Sequence, residues 1–201
     1  MPFSIQLPFT RTAEFNRINH GTFRGWVRHS LALLQWLFGG LDDCVNPDLS
    51  KVERLVFVCL GNINRSAFAE AVARREGAAT ASLGLSTAPG LPAFSKAMET
   101  ATGFAIDLRA HRTANLAEHQ HREGDLMLAM EVRHVMRLRA AGVPAASIAL
   151  LGAWSRPKRL HIHDPHTLSD EYFKTCFTVI ESATRNLVVD WRKHRSPKAG
   201  S

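Results

Sequence analysis

From about residue 53 onward, short apolar runs alternate with stretches of helical spacing, and that rhythm predicts the fold. Arg54-Leu55-Val56-Phe57-Val58 is the first such run, almost continuously apolar, as expected of a parallel strand buried on both faces. Further strands are expected at about 79–85, 125–130 and 147–151, the first covering about 53–58. Helices are expected at about 66–76, 93–103, 131–141 and 168–193, with a shorter one near 114–120. Strand and helix in strict alternation make βαβ units. The expected fold is therefore α/β: an open four-stranded parallel sheet flanked by helices on both faces. In such sheets ligands bind beyond the carboxyl ends of the strands.

Residues 1–50 do not share this rhythm and are read as an N-terminal extension; residues 51–194 are the α/β domain and 195–201 a flexible tail. Within the extension, Phe23, Trp26, Val27, Leu31, Leu33, Leu34, Trp36, Leu37 and Phe38 predict a helix over 22–38 with an apolar face. Gly39-Gly40 ends it, and Asp42-Asp43 with Asn46-Pro47 predicts a turn into the first strand. Arg17, Arg24, Arg28 and His29 lie in or near this helix. Its apolar stretch starts late for a signal peptide and lacks an evident cleavage site. Two readings stay open: a helix docked on the domain, or one that makes a peripheral membrane or protein contact.

Charge narrows the partners. A net charge of +7 and a pI near 9.9 suit an anionic partner. The basic residues are scattered and thinly interleaved with aromatics, so no nucleic acid partner is expected. Three cysteines at unrelated spacings predict no disulfide framework and a reducing, cytoplasmic setting. No apolar run reaches the roughly 18 residues that span a bilayer.

The chemistry is concentrated in Cys59-Leu60-Gly61-Asn62-Ile63-Asn64-Arg65-Ser66, between the first strand and the Ala-rich segment from Ala67 to Arg75. A turn of this kind exposes successive backbone N–H groups, and the helix start adds partial positive charge, which together make a phosphate-sized anion site. A thiol set there beside an arginine is favoured as a nucleophile. Arg65 can hold two oxygens of a phosphoryl group through its planar fork. Leu60, Gly61, Asn62, Ile63, Asn64 and Ser66 are the candidate substrate-binding residues. Seen alone, Cys59 would more often be a buried strand-end cysteine; the whole octet in this setting outweighs that reading.

The octet resembles the signature of low-molecular-weight protein tyrosine phosphatases. Segments from about Val52 to about Trp191 are similar in the same order: Ala105-Ile106-Asp107-Leu108-Arg109-Ala110-His111-Arg112, Asp125 through Met130-Glu131, Leu150-Leu151-Gly152-Ala153 and His163-Asp164-Pro165-His166. The resemblance implies hydrolysis of phosphotyrosine on a phosphorylated protein, with Cys59 as nucleophile, Arg65 as phosphate holder and Asp164 as general acid. It implies no cofactor and no metal. It further implies a left-handed Asn62 supported by Ser82 and His111, and a Ser66 hydroxyl that donates to the thiolate. The sequence also departs from the family. Glu131 stands where Asp is usual, Asn64 where many members carry a second cysteine, and Ala67 where Pro follows Arg-Ser. His166-Thr167 replaces an aromatic pair, and the 87–92 loop lacks the aromatic of the other wall, a place Phe94 could fill.

His161, His163 and His166 alternate around Asp164, but no Cys or carboxylate stands at metal-ligand spacing, so they are read as facing solvent or substrate. Cys44 and Cys176 are read as unpaired packing residues. Three alternatives remain: a thiol-dependent arsenate reductase, which needs further redox cysteines; a protein arginine phosphatase, which tends to carry Thr at the position of Ile63; and a phosphate-binding module without catalysis.

Overall fold

The computed structural model describes the backbone of residues 8–195 and the side chains of residues 13–194. Four parallel strands form the sheet: β1 (Arg54–Cys59), β2 (Thr80–Gly84), β3 (Asp125–Ala129) and β4 (Ile148–Leu150), in the order β2-β1-β3-β4. The chain thus builds outward from β1 first to one side and then to the other. The reversal falls between β1 and β3, the crevice where a ligand of a doubly wound sheet belongs. Cys59 ends β1, and Met130-Glu131 follows β3 at the same edge.

Successive residues of β1 feed different layers, as the two-residue period of a strand requires. Leu55 and Phe57 pack with Phe68, Val72, Phe173, Phe177 and Ile180. Val56 and Val58 pack on the other face with Leu41, Val45, Val135 and Leu138. The first layer is made by α4 (Arg65–Arg75), α5 (Ser95–Thr102) and α7 (Asp170–Arg195), the second by α3 (Asp42–Val45) and α6 (Val132–Ala140). In α7 the buried Phe173, Phe177, Ile180, Leu187 and Trp191 recur at helical spacing. Phe177 stacks on Phe68 of α4 with centroids 4.0 Å apart, and Trp191 donates its indole N–H to the Val52 carbonyl at 2.8 Å. These contacts fix the helix that leaves the Cys59 loop.

Every strand and long helix expected from residue 53 onward is present, with ends shifted by a few residues; the short one near 114–120 is a single 3-10 turn at Leu116–Glu118. The expected tail lies almost wholly at 196–201, outside the described residues.

The extension holds more structure than its sequence suggested. The expected helix is α2 (Phe23–Leu37), but α1 (Pro8–His20) precedes it, a mostly polar segment without a clear apolar stripe. The expected turn after Gly40 is instead α3. Leu41, Cys44 and Val45 are buried in the sheet-side layer, so this stretch packs with the sheet, in the same cluster as Ala32 of α2.

The α1–α2 hairpin docks on the segment that leads into Asp164 and on the start of α7. Thr22 caps α2, accepting from Gly25 N–H at 3.0 Å, and its oxygen lies 3.2 Å from His163 Nε2. Two glycines permit the close approach. Gly21, at φ +77, faces the Tyr172 ring and Leu168, and a Cβ on Gly25 would stand 2.1 Å from the His20 carbonyl and 3.1 Å from the His163 ring. Arg159 Nη1 donates to the Asn19 carbonyl (3.2 Å) and to His20 Nδ1 (2.9 Å), while Arg17 pairs with Glu171 at 3.2 Å. The helix is therefore docked through the buried Gly25, His29 and Ala32, with Leu33 and Trp36 partly buried beside them, while its other large apolar side chains face outward.

Candidate active site

Asn62 organises the loop. It is held at φ 53, the left-handed conformation that Asn adopts at less cost than most residues. Its Oδ1 accepts from Ala114 N–H at 2.9 Å, a donor only, so Nδ2 must face the other way. There Nδ2 donates to Ser66 Oγ and Ser82 Oγ, each at 2.9 Å. Ser66 thus accepts from Asn62 and has its own proton to give; Cys59 Sγ lies 3.0 Å away and the Leu83 carbonyl 3.5 Å. Asn62 N–H also points at Cys59 Sγ, at 3.2 Å. The Asn62 carbonyl takes a 2.7 Å hydrogen bond from His111 Nε2, which fixes the proton on that nitrogen. Burial lowers the His111 pKa, so the ring stays neutral. Ser82 donates onward to Glu70 Oε2 at 2.6 Å. The structure therefore joins Cys59, Asn62, Ser66, Ser82 and His111 in one network around the sulfur.

Arg65 opens α4 and is 1 % exposed. Its Nη1 is saturated, donating to Glu131 Oε1 at 2.6 Å and to the Ile162 carbonyl at 2.8 Å. The other edge of the fork is different. Nε has no hydrogen-bond partner among the described residues, and Nη2 has only the Asp164 carboxylate at 2.8 Å, in ion-pair contact. Burial works against the guanidinium charge, but Asp164 and Glu131 outweigh it and raise the Arg65 pKa further. Glu131 is also fully buried. Burial alone would neutralise it, yet Arg65 foremost, then His134 and Arg133, hold it well below the usual carboxylate range.

Asp164 is partly exposed, and its Oδ1 accepts from His166 N–H at 3.2 Å, a short local turn that sets the carboxylate beside Arg65. His161 Nε2 and His163 Nδ1 are 3.4 Å apart, and His161 Nδ1 is 3.7 Å from Glu131 Oε2. Burial pushes the His161 pKa down to about 3 and lowers that of His163. A line of polar contacts thus runs from Thr22 in the extension through His163 and His161 to Glu131 and Arg65. His166 lies outside it, edge-on to Phe94 with centroids 4.8 Å apart. Phe94 N–H in turn bonds to the Ile63 carbonyl at 3.0 Å, so these residues form one rim beside the loop. Leu60, Gly61 and Ile63 are partly exposed along the loop, while Asn64 is buried.

Sequence reasoning assigned no site role to two residues. Glu131 was noticed as a departure from a motif, without a role in the site. Its place right after β3, at the crevice beside β1, was the signal that it could reach the loop. Glu70 lies five residues after Arg65 on the same helix and gave no such signal, because its role depends on how β2 packs on α4.

Comparison with known proteins agrees with this geometry. Residues 54–196 match the family model described as low molecular weight phosphotyrosine protein phosphatase. The chain is 30% identical over 149 residues to the low molecular weight protein-tyrosine-phosphatase Etp of Escherichia coli, covering 73% of this chain and 97% of that one. It is 34% identical over 160 residues to low molecular weight protein-tyrosine phosphatase A of Mycobacterium tuberculosis, covering 73% and 95%. Among solved structures, the tyrosine phosphatase amsI of Erwinia amylovora superposes with a TM-score of 0.61 at 26% identity, over 73% of this chain and 95% of its own. With its loop, its sheet order and its relatives in agreement, the chain belongs to the low molecular weight phosphotyrosine protein phosphatase family.

Proposed function

We propose that this protein hydrolyses phosphotyrosine on phosphorylated proteins through a cysteinyl-phosphate intermediate. The observation that carries the reading is the split role of the Arg65 fork. Nη1 is tied to Glu131 and Ile162, while Nε is unpartnered among the described residues and Nη2 meets only the Asp164 carboxylate, so that edge can turn to two oxygens of a phosphoryl group. The Cys59 sulfur attacks phosphorus in line with the ester oxygen; the S–P bond forms as the O–P bond breaks. Asp164, protonated for this step, gives its proton to the leaving phenolate. The resulting carboxylate then takes a proton from water, whose oxygen attacks phosphorus and expels the Cys59 sulfur. Ser66 and the Asn62 N–H steady the sulfur as it becomes the leaving group. Arg65 and the loop N–H groups hold the three oxygens as their charge redistributes.

Ile63, Phe94 and His166 give the rim an apolar and aromatic character that suits an aromatic ester better than a guanidinium. This favours phosphotyrosine over phosphoarginine. The arsenate reductase alternative needs a second ready thiol. Both other cysteines are buried; burial pushes the Cys44 pKa up to about 11 and raises that of Cys176 as well. A pure binding module would have no use for Asp164 beside Arg65. No helix among the described residues is long and apolar enough to cross a membrane, and the cytoplasm is the proposed setting. Residues 22–38 add a contact surface outside the catalytic loop.

Steady-state assays on p-nitrophenyl phosphate, a phosphotyrosine peptide and a phosphoarginine peptide test the reading. The highest kcat/KM is expected on the phosphotyrosine peptide. A higher value on phosphoarginine, or no turnover of any of the three, would overturn it.

A further inference from the structure

Ten large apolar side chains stand exposed among the described residues, and seven of them fall between Phe15 and Phe38. Six belong to one surface of α2 and its end: Phe23, Trp26, Leu31, Leu34, Leu37 and Phe38, with Leu37 71% and Phe38 87% exposed. Their spacing places them along a single stripe, on the side of the helix opposite Gly25, His29 and Ala32. A surface helix ordinarily turns its apolar stripe inward. Here it is reversed, and the docking contacts of Gly21, Gly25, Thr22 and His20 hold the stripe outward. A contiguous apolar face of this kind marks an interaction site.

The charges beside it select the occupant. Arg24 and Arg28, one turn apart, are both exposed on the flank of the stripe. No Asp or Glu occurs between Glu14 and Asp42, and the whole chain carries +7. A second copy of the chain would bring the same acid-free stretch against these arginines, leaving them without counter-charges. A layer of anionic phospholipid supplies phosphates at the level of the arginines and acyl chains for the Phe, Trp and Leu side chains beneath them. α2 spans 15 residues and is not of the kind that crosses a bilayer, so it would lie in the plane of the interface. We infer that the outward face of α2, from Phe23 to Phe38, seats the enzyme on anionic phospholipid surfaces, with the apolar stripe immersed and Arg24 and Arg28 at the headgroups. The inference rests on the stripe and its flanking arginines and not on any catalytic residue, so it stands apart from the substrate assignment.

Flotation of the full chain with phosphatidylcholine vesicles, with and without phosphatidylglycerol, tests it. The protein is expected to float with the phosphatidylglycerol vesicles and much less with phosphatidylcholine alone. The double variant Leu34→Glu/Phe38→Glu should lose binding by roughly tenfold or more while turning over p-nitrophenyl phosphate as the parent does, which also reports that it is folded. Arg24→Glu/Arg28→Glu should weaken binding to the anionic vesicles by roughly tenfold. Three results would each overturn the inference: failure of the parent protein to bind anionic vesicles, equal binding to neutral ones, or undiminished binding by Leu34→Glu/Phe38→Glu. So would a concentration-dependent dimer that this variant abolishes, since the face would then belong to a second copy.

Discussion

Between Cys59 and Ser66 the protein buries polar side chains, and along α2 it exposes apolar ones. Arg65, Asn62, Asn64 and Ser66 are all buried, whereas Phe23, Leu34, Leu37 and Phe38 stand in solvent. Each region inverts the ordinary partition of side chains. In the loop the inversion is compensated from within: Glu131 answers Arg65, and Ser66, Ser82 and Ala114 answer Asn62. On α2 nothing among the described residues answers the exposed stripe. The contrast separates a site built to hold a small charged group from a surface completed by another body. The two regions still touch, through the line from Thr22 by way of His163 and His161 to Glu131.

The sharpest way to break the contrast is at the loop. Cys59→Ser should reduce turnover to background while vanadate still binds, because the nucleophile is lost and the Arg65 cradle is not; equilibrium binding beside steady-state kinetics checks both. Arg65→Lys should be nearly as inactive, since an ammonium can reach Glu131 or the phosphoryl oxygens but cannot fork between them. Next in size, Asp164→Asn should slow hydrolysis by roughly 10²–10⁴ for poor leaving groups and much less for activated aryl phosphates. An equal loss across a series of leaving-group pKa values would remove Asp164 from the acid role.

Glu131→Gln tests whether the buried pair, rather than the loop alone, aims the fork. Leaving the Arg65 charge half-compensated should cost about 3 kcal/mol of stability in urea denaturation. It should also raise KM for phosphate esters more than it lowers kcat. Unchanged KM with lost stability would make Glu131 a purely structural partner.

A smaller effect is expected at the hairpin, and it depends on pH. Burial first and the Arg159 charge next hold the pKa values of His20 and His29 down to about 4, against about 6.5 for free histidine. The unfolded segment therefore binds protons that the docked one refuses. Their contribution to docking is complete above about pH 6.5 and is lost as pH falls toward 4. Limited proteolysis or hydrogen exchange should show residues 13–38 losing protection across that window, before the sheet does. Protection that is constant from pH 7 to pH 4 would contradict the assignment.

Much of this was legible in the residues themselves. The strand β1, the octet and the order of the later elements follow from apolar runs and their spacing, because a parallel sheet buried on both faces leaves a strong signal. Asn62, Ser66 and Arg65 lie within eight residues of the nucleophile, so local sequence brings them together. Glu70 and Glu131 were harder to assign: their carboxylates reach the loop only through the packing of α4 on β2 and of β3 on β1. The orientation of α2 was illegible for a different reason. Its periodicity marks an apolar stripe but not which side docks. Two glycines and two histidines decide that through fit to Tyr172, His163 and Arg159, and the polar α1 forms against α7 and α2 without a stripe of its own.

The central claim is that phosphoryl transfer passes through Cys59, and trapping the intermediate tests it most directly. Asp164→Asn should form the cysteinyl phosphate from an activated aryl phosphate and hydrolyse it slowly. Acid quenching within the burst, followed by peptide mass spectrometry, should then find one phosphoryl group on Cys59, and none in Asp164→Asn/Cys59→Ser. Phosphorylation of any other residue, or an unmodified Cys59 during steady turnover, would contradict the account.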